Sequence, residues 1–289
     1  MCPLCHSSVE GSTRYACTGC GRVYEAVDGV PVLLAGDLSS QQVGQREYFD
    51  AEFSALERYE LPNWRLSFLE RIVNALGVFE GGGPYLDVGV GGSGATVIEV
   101  ARNGVDAVGC DLSVAGVVQA RRFAAAEGVE DRAAFVACAA EALPFADRAF
   151  GSASAVAVLE HLDDDTAAAA ELARVVRPGG LVWITVPNAY RYIPPPLWPV
   201  YLVHDRRLGH KRHYDERRLV GLLAGAGLEH IRTEYSAHPV KVLQLAVELL
   251  VPAARRPRSP IWWRFEARDR RRPGRAFGSL QLNAIFRRT

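Results

Sequence analysis

Short apolar runs alternate with segments of helical periodicity through the middle of the chain. Strands are predicted at 84–88, 105–112, 133–138, 150–159 and 181–186, and helices at 95–102, 113–126 and 164–176. A further helix capped by Asp215, a strand at 228–235 and a last strand at 279–288 complete the pattern. Strands that alternate with helices predict an α/β fold whose mostly parallel sheet is covered on both faces.

The segment before the first of these strands has a different pattern. Residues 39–45, S-S-Q-Q-V-G-Q, have the polar composition of a linker, and apolar residues then recur at three- and four-residue steps up to Leu76. Most of these apolar residues are expected in the core. Tyr48 and Arg65 are candidates to cover a ligand bound by the domain that follows.

Four of the six cysteines lie near the start of the chain in two C-x-x-C pairs. Cys2, Cys5, Cys17 and Cys20 offer the four thiolates of a tetrahedral structural zinc site, and a short hairpin fits between the pairs. A strand, a D-G turn and a second strand follow, so residues 1–38 are predicted to form a zinc-ribbon module. A redox pair of thiols is the alternative interpretation.

Composition changes this picture little. The chain has 289 residues with 33 basic and 33 acidic side chains, so no overall basic field favours nucleic acid as the partner. The start lacks the pattern of a secretory signal, and the longest apolar stretch near the end is interrupted by Gln244 and Glu248. We therefore expect a cytoplasmic protein without a membrane span, and reduced thiols there favour zinc over disulfides.

The stretch L-D-V-G-V-G-G-S-G, residues 86–94, is a strand, a glycine turn and a helix start. Residues without a Cβ let a ligand approach the backbone, and the free N–H groups of the helix point into the gap. A nucleotide-like cofactor is the natural ligand. The motif also matches the dinucleotide fingerprint, with Asp111 where a ribose-binding acid is expected. Asp87 favours an ammonium group over a pyrophosphate at this turn, so NAD is the poorer choice.

Together with that stretch, the motifs G-C-D-L-S, A-A-E-A-L-P-F, V-L-E-H-L and R-V-V-R-P-G-G resemble those of class I S-adenosylmethionine-dependent methyltransferases. The resemblance covers roughly residues 45–289, and the domain is predicted at 39–289. The resemblance implies a Rossmann-like seven-stranded sheet and the cofactor S-adenosylmethionine. It also implies that the following residues bind that cofactor: Asp87, Gly89, Gly91, Asp111, Leu112, Ala140 and Glu141, with Tyr48 and Arg65 as further candidates. One departure is Ala139, which stands where relatives commonly carry an Asp that contacts adenine. The first segment resembles a small zinc-ribbon family that occurs as an activator subunit of some methyltransferases.

The candidate catalytic residues lie after the fourth and fifth strands. His161 ends the fourth strand and is the first candidate for a general base, although a structural role is an equal alternative. The stretch 188–214 is proline-rich and aromatic, so we predict a long non-helical lid over an aromatic or extended substrate. Tyr190, His210 and His213 in that lid are further candidates, with hydrogen-bonded lid residues as the alternative.

The sequence does not identify the molecule that accepts the methyl group. The cofactor motifs and the aromatic lid favour transfer of a methyl group to an oxygen, nitrogen or carbon of a small molecule, such as a natural-product intermediate. An insertion at about 238–278 interleaves arginines with Trp262, Trp263 and Phe265, which supports RNA methylation as an alternative. A non-catalytic partner-binding protein and a cyclase that transfers no methyl group also stay open. The sequence does not predict the oligomeric state.

Overall fold

The computed structural model describes residues 1–59, 63–80, 82–237 and 275–289, together with positions 247 and 264. Its centre is a seven-stranded sheet in the order β10-β11-β9-β8-β5-β6-β7. The strands of this sheet are β5 Tyr85–Val88, β6 Ala107–Asp111, β7 Ala133–Ala137, β8 Phe150–Val156, β9 Val176–Pro187, β10 Leu228–Ser236 and β11 Gln281–Arg288. Strand β11 is antiparallel to both of its neighbours, whereas β9, β8, β5, β6 and β7 pair in parallel. The predicted α/β fold with a mostly parallel Rossmann-like sheet is confirmed.

Helices cover both faces of this sheet. They are α1 Ser40–Ser54, α2 Asn63–Leu76, α3 Ala95–Arg102, α4 Val114–Ala126, α5 Asp165–Val175, α6 Trp198–Leu208 and α7 Glu216–Gly225. Two apolar clusters separate the helices from the sheet, one containing Ile98 and Val117 from α3 and α4, the other Leu172 and Leu219 from α5 and α7. The inner strands β5 and β9 are buried on both faces and are largely apolar, whereas the edge strand β10 is largely polar.

The register of the sheet brings several loops to one edge. Asp87 on β5 lies beside Gly109 on β6 and Ser154 on β8, so these three strands end at a similar height. The loops that leave their carboxyl ends are the glycine turn, the segment after Asp111 and the segment after Val156. Ligands of open α/β sheets bind at this edge.

The first 38 residues form a four-stranded antiparallel sheet: β1 Val9–Glu10, β2 Arg14–Cys17, β3 Val23–Val27 and β4 Val30–Pro31. The Asp28–Gly29 turn has positive φ at both residues, as the predicted D-G hairpin requires. After β4, Val32 bridges in parallel to Ala137 of β7, and the Leu33 N–H donates to the Ala137 carbonyl at 2.8 Å. The segment therefore continues the edge of the main sheet.

The same segment shares its buried side chains with the rest of the chain. Cys2, Cys17, Tyr24 and Leu33 belong to the apolar cluster beneath α5 and α7, and Val30 belongs to the cluster beneath α3 and α4. The two clusters thus extend from the main sheet into the cysteine-bearing hairpins without interruption. These 38 residues are packed on the main domain.

Two local predictions were wrong. Residues 40–46 are the first turns of α1 and not a linker, since Ser39 and Gln42 form a reciprocal capping box. The lid is largely helical, because short 3-10 turns at Tyr190–Tyr192 and Pro195–Leu197 lead into α6. The proline run lies in the second 3-10 turn, and Pro199 in the first turn of α6 costs that helix no hydrogen bond.

Most of the arginine- and tryptophan-containing insertion, from 238 to 274, lies outside the described residues. Within the described part of the chain, no helix is both long and apolar enough to cross a bilayer.

Candidate active site at the carboxyl edge of the sheet

The glycine turn after β5 is shaped by backbone conformation and by close packing. Gly89 and Gly91 have φ of +74° and +64°, a region that side chains other than glycine rarely adopt. A Cβ on Gly89 would lie 2.3 Å from a methyl carbon of Val158. The turn leads into α3 through Gly94, so the free N–H groups of that helix face the same gap. A ligand can therefore lie directly against the backbone of this turn.

Two acids flank this turn. Asp87 is buried, and Ser154 Oγ donates to its Oδ1 at 2.5 Å, which fixes the carboxylate beneath the turn. Asp111 at the end of β6 accepts from the Gly91 N–H and the Ser113 N–H, both at 2.9 Å. The structure thus brings Asp87, Gly89, Gly91 and Asp111 together at one edge of the sheet, where an ammonium and a diol can be bound by carboxylates.

Helix α1 supplies two residues that sequence reasoning missed. Asp50 Oδ1 accepts from Ser113 Oγ at 2.5 Å and from the Ala115 N–H at 3.0 Å, so it helps to hold the start of α4. Phe53 packs against two glycines: a Cβ on Gly92 would lie 2.6 Å from Phe53, and one on Gly116 would lie 2.7 Å from it. Glycine at positions 92 and 116 was the one sequence signal for these contacts, since a residue without a side chain allows a neighbour to pack closely.

The remaining cofactor candidates lie around this gap. Leu112 follows Asp111, and Ala140 and Glu141 follow β7; all three are partly buried. Burial raises the pKa of Glu141, and its Oε1 has no hydrogen-bond partner among the described residues. Tyr48 on α1 packs edge-on against Phe49 at 5.1 Å between ring centroids. The side chain of Arg65 lies outside what the structure describes.

A buried polar pair follows strand β8. Glu160 and His161 lie one turn beyond Val158, whose carbonyl accepts from the His161 N–H at 3.0 Å. Burial raises the pKa of Glu160 to about 8. Burial, together with the neighbouring His210, lowers the pKa of His161 to about 3, so both side chains are predominantly neutral near pH 7. In the described part of the chain, Glu160 Oε2 and His161 Nδ1 have no hydrogen-bond partner.

The lid contacts this pair through a network centred on Asp205 of α6. Asp205 accepts from the Tyr190 hydroxyl at 2.6 Å, and its oxygens lie 2.6 Å from His210 Nδ1 and 2.7 Å from His213 Nε2. Burial would raise the pKa of Asp205, but the hydrogen bonds from its three partners outweigh burial and hold that pKa well below its usual range. Asp205 is therefore a buried carboxylate.

This network brings the predicted catalytic residues into one cluster. The ring centroids of His161 and His210 are 4.9 Å apart, and those of Tyr190 and His213 are 4.6 Å apart. Phe49 of α1 packs edge-on against His161 at 5.7 Å, so α1 covers the outer side of the cluster. The sequence had no signal for Glu160 or Asp205 as members of this group, because their positions depend on how the lid folds back.

The four predicted zinc ligands also converge. The Sγ atoms of Cys2, Cys5, Cys17 and Cys20 all lie within 4.8 Å of one another, with Cys2 to Cys20 at 3.8 Å and Cys5 to Cys17 at 3.4 Å. Sulfurs bound tetrahedrally to zinc at about 2.3 Å are about 3.8 Å apart, so these side chains fit the ion. Burial opposes ionisation of Cys2, but hydrogen bonds from Tyr24 and from the backbone outweigh it and lower its pKa to about 6.

The part of the chain that contains the glycine turn is similar to known proteins. Residues 86–184 match a family model described as "Methyltransferase domain". The demethylmenaquinone methyltransferase of Beutenbergia cavernae is 35% identical over 129 residues, which is 43% of this chain and 50% of that protein. The ubiquinone biosynthesis O-methyltransferase of Sinorhizobium medicae is 37% identical over 103 residues, 36% of this chain and 40% of that protein. The chain thus spans half or less of the length of these relatives.

The fold extends the similarity beyond these segments. The geranyl diphosphate C-methyltransferase of Streptomyces coelicolor, solved with Mg²⁺, geranyl diphosphate and S-adenosyl-L-homocysteine, superposes with a TM-score of 0.63 at 15% identity. It covers 88% of this chain and 100% of its own. At this identity the likeness establishes the fold alone. Residues 86–184 are thus similar to a methyltransferase domain, and the surrounding sheet has a fold that the geranyl diphosphate C-methyltransferase shares.

Proposed function

We propose that the protein transfers the methyl group of S-adenosylmethionine to an oxygen, nitrogen or carbon atom of a small molecule. When bound, the cofactor supplies an electrophilic methyl group on a sulfonium. For the chain's own part, Asp111 is positioned to accept hydrogen bonds from ribose hydroxyls, and Asp87 offers a negative charge to an ammonium group. The bare backbone at Gly89 and Gly91 supports this assignment, because a ligand can lie directly against it.

The buried polar cluster after β8 is the observation that supports a binding site for the methyl acceptor. Glu160 and His161 follow the strand that ends beside the glycine turn, and the lid residues Tyr190, His210 and His213 complete the group. A buried site with few charges strengthens electrostatic interactions and excludes water, which otherwise competes for reactive groups. These residues would therefore position the acceptor atom and its proton.

A small acceptor fits this arrangement better than a polynucleotide. The lid is held down through a buried carboxylate, and aromatic rings from α1 and the lid surround the imidazoles. The relatives named above include methyltransferases of menaquinone and ubiquinone biosynthesis, which supports a flat or extended apolar acceptor with one polar atom. RNA remains the alternative to be tested.

The cysteine cluster belongs to the same proposal as a structural zinc site. Four thiolates leave no open coordination position, so the ion would stabilise the hairpins and take no part in methyl transfer. Since these hairpins pack on the edge of the main sheet, zinc would support the domain as well as the module.

Calorimetry with S-adenosylmethionine and with S-adenosylhomocysteine tests the first half of the proposal. We expect one binding site per chain, and purified protein that binds neither compound would refute the proposal. Transfer of a labelled methyl group to hydroxylated aromatic and prenylated compounds, with bulk tRNA in parallel, tests the second half. Labelling of tRNA alone would favour the RNA alternative.

A variant separates the acceptor cluster from the general fold. His161→Asn is expected to lower the transfer rate at least tenfold while cofactor affinity changes less than threefold, since His161 lies outside the glycine turn. His230→Gln is the matched control, because His230 lies on β10 and contacts Thr233 at 2.9 Å. Equal losses in both variants would contradict the placement of the acceptor.

A further inference from the structure

Three donor atoms in the acceptor cluster are arranged as metal ligands are. Glu160, His161 and His210 each offer one oxygen or nitrogen, and these atoms all lie within 4.8 Å of one another. Ligands about 2.1 Å from a common ion are at most about 4.2 Å apart, so modest side-chain rotations would close the site. Two imidazoles and one carboxylate on a single face leave further coordination positions open.

Two of these side chains carry polar atoms that nothing else satisfies in the described part of the chain. Glu160 is 1% exposed, yet its Oε2 has no hydrogen-bond partner there, and the same holds for the buried Nδ1 of His161. Leaving a buried polar atom unpaired costs about 1–3 kcal/mol, and buried polar groups in folded proteins are nearly always paired. A bound cation would satisfy both atoms at once.

The third donor is already oriented for coordination. His210 Nδ1 lies 2.6 Å from Asp205 Oδ1, and the tautomer that donates its Nδ1 proton to this carboxylate leaves Nε2 available to a metal ion. Histidines that bind metals usually donate their other ring N–H to a carboxylate in this manner. Asp205 is in turn held by Tyr190 and His213, so its role is to position His210.

We propose that Glu160, His161 and His210 bind one divalent transition-metal ion, separate from the four-cysteine site. Two imidazole nitrogens favour Fe²⁺, Co²⁺ or Zn²⁺ over Mg²⁺ and Ca²⁺, which prefer oxygen ligands. If the proposed methyl transfer holds, on which only this step rests, an oxygen of the acceptor would complete the coordination. The ion would then lower the pKa of that oxygen and orient it toward the donor.

Cobalt titration of the full-length, zinc-loaded protein tests the site without donor or acceptor. Zinc is supplied at only one equivalent per chain, which the four-thiolate site takes first, and a zinc content of one per chain is verified before the titration. Zinc binds more tightly than cobalt, so Co²⁺ leaves the four-cysteine site filled, and any exchange there would appear as a thiolate-to-cobalt charge-transfer band. We expect one Co²⁺ per chain with visible d–d absorption and without that band. No binding, or binding only through thiolates, would overturn the proposal.

Three variants and a control assign the ligands. Glu160→Gln and His210→Asn should each weaken cobalt binding at least 100-fold, and Asp205→Asn should weaken it about 10- to 100-fold, since it removes no ligand. His204→Asn is the matched control, because His204 lies near His210, with 6.3 Å between ring centroids, but outside the cluster. Unchanged binding in Glu160→Gln and His210→Asn would refute the site.

Two further measurements keep the outcomes distinguishable. Circular dichroism melting shows whether each variant is folded, and the isosteric Glu160→Gln remains informative if His210→Asn does not fold. Methyl transfer is then measured with and without added metal. Transfer that needs no metal would refute the role of the ion in transfer and leave the proposed function intact, whereas metal binding without any transfer would leave the site intact and contradict the proposed function.

Discussion

Replacement of Asp205 by Asn tests whether one buried carboxylate holds the lid in place. Asp205 is 6% exposed and lies within 2.7 Å of groups on Tyr190, His210 and His213. These partners come from the 3-10 turn at the start of the lid and from the segment after α6. The carboxylate therefore ties both ends of the lid to its central helix.

The expected loss follows from the number and kind of these contacts. A hydrogen bond to a charged group contributes about 1.5–3 kcal/mol, so those from Tyr190 and His210 would sum to about 3–6 kcal/mol if they were independent, and His213 adds an ion-pair contact. They share two oxygens, and Asn keeps the shape and one acceptor oxygen. The penalty for losing one member of a buried ionic group is about 3–5 kcal/mol, and we expect Asp205→Asn to fall in that range.

Urea denaturation gives the free energy of unfolding, and hydrogen exchange of the α6 amides reports whether the lid opens before the rest of the domain. Tyr190→Phe alone should cost about 1–2 kcal/mol, and combined with Asp205→Asn it should add almost nothing, because the partner is already lost. Asp163→Asn is the control: it removes an exposed ion pair with Lys211, which contributes at most about 1 kcal/mol. A loss for Asp205→Asn no larger than for Asp163→Asn, or full additivity with Tyr190→Phe, would refute the reasoning.

Three shorter predictions address the other parts of the molecule. Asp111→Asn should weaken S-adenosylmethionine binding by about 10- to 150-fold in calorimetry, since bonds to the ionised group contribute about 1.5–3 kcal/mol. Asp106→Asn, an exposed position just before the opposite end of the same strand, should change this binding less than twofold. Gly89→Ala should lower the unfolding free energy by about 2–4 kcal/mol through backbone strain plus a clash with a valine methyl; Gly104→Ala, which has positive φ but open space around it, should show the strain alone, about 1–2 kcal/mol. Removal of zinc by a chelator, or Cys5→Ser, should lower the melting temperature of the whole chain in a single transition that zinc restores for the wild type only; an unchanged main transition would contradict the packing of the module on the sheet.

The placement of the proposed cofactor-binding residues could be predicted because its signals are local. The glycines, Asp87 and Asp111 lie at strand ends, where a strand, a turn and a helix start define the position of each residue. The same holds for the cysteine pairs, since each C-x-x-C turn brings two thiols together by itself. Backbone conformation within a few residues determines these placements, so sequence spacing suffices to find them.

Asp50 and Phe53 could not be predicted in the same way. Helix α1 has no fully buried residue, so its periodicity does not reveal which face contacts the domain. The contacts that matter are to Gly92 and Gly116, about 40 and 63 residues further along the chain. Only the folded arrangement shows that these glycines make room for one phenylalanine ring.

The lid shows a second limit of prediction from sequence. Its prolines and aromatic residues predicted a non-helical segment, but prolines at the first positions of α6 are compatible with a helix. Once α6 forms, Asp205 is buried and contacts three partners that are 5 to 15 residues away in sequence. The sequence therefore predicted the histidines and Tyr190 as candidates, but it did not predict the carboxylate that contacts them.

Helix α1 joins the two halves of the site. Phe53 lies against the glycine turn, Asp50 holds the start of α4 beside Asp111, and Phe49 packs on His161. A ligand that stabilises the glycine turn through these contacts would also stabilise the helix that covers the proposed acceptor cluster. Because coupling is reciprocal in binding free energy, occupation of that cluster would then favour cofactor binding to the same extent. The capping box at Ser39 begins this helix, and Ser39 Oγ also donates to Asp163, two residues beyond His161, at 2.5 Å.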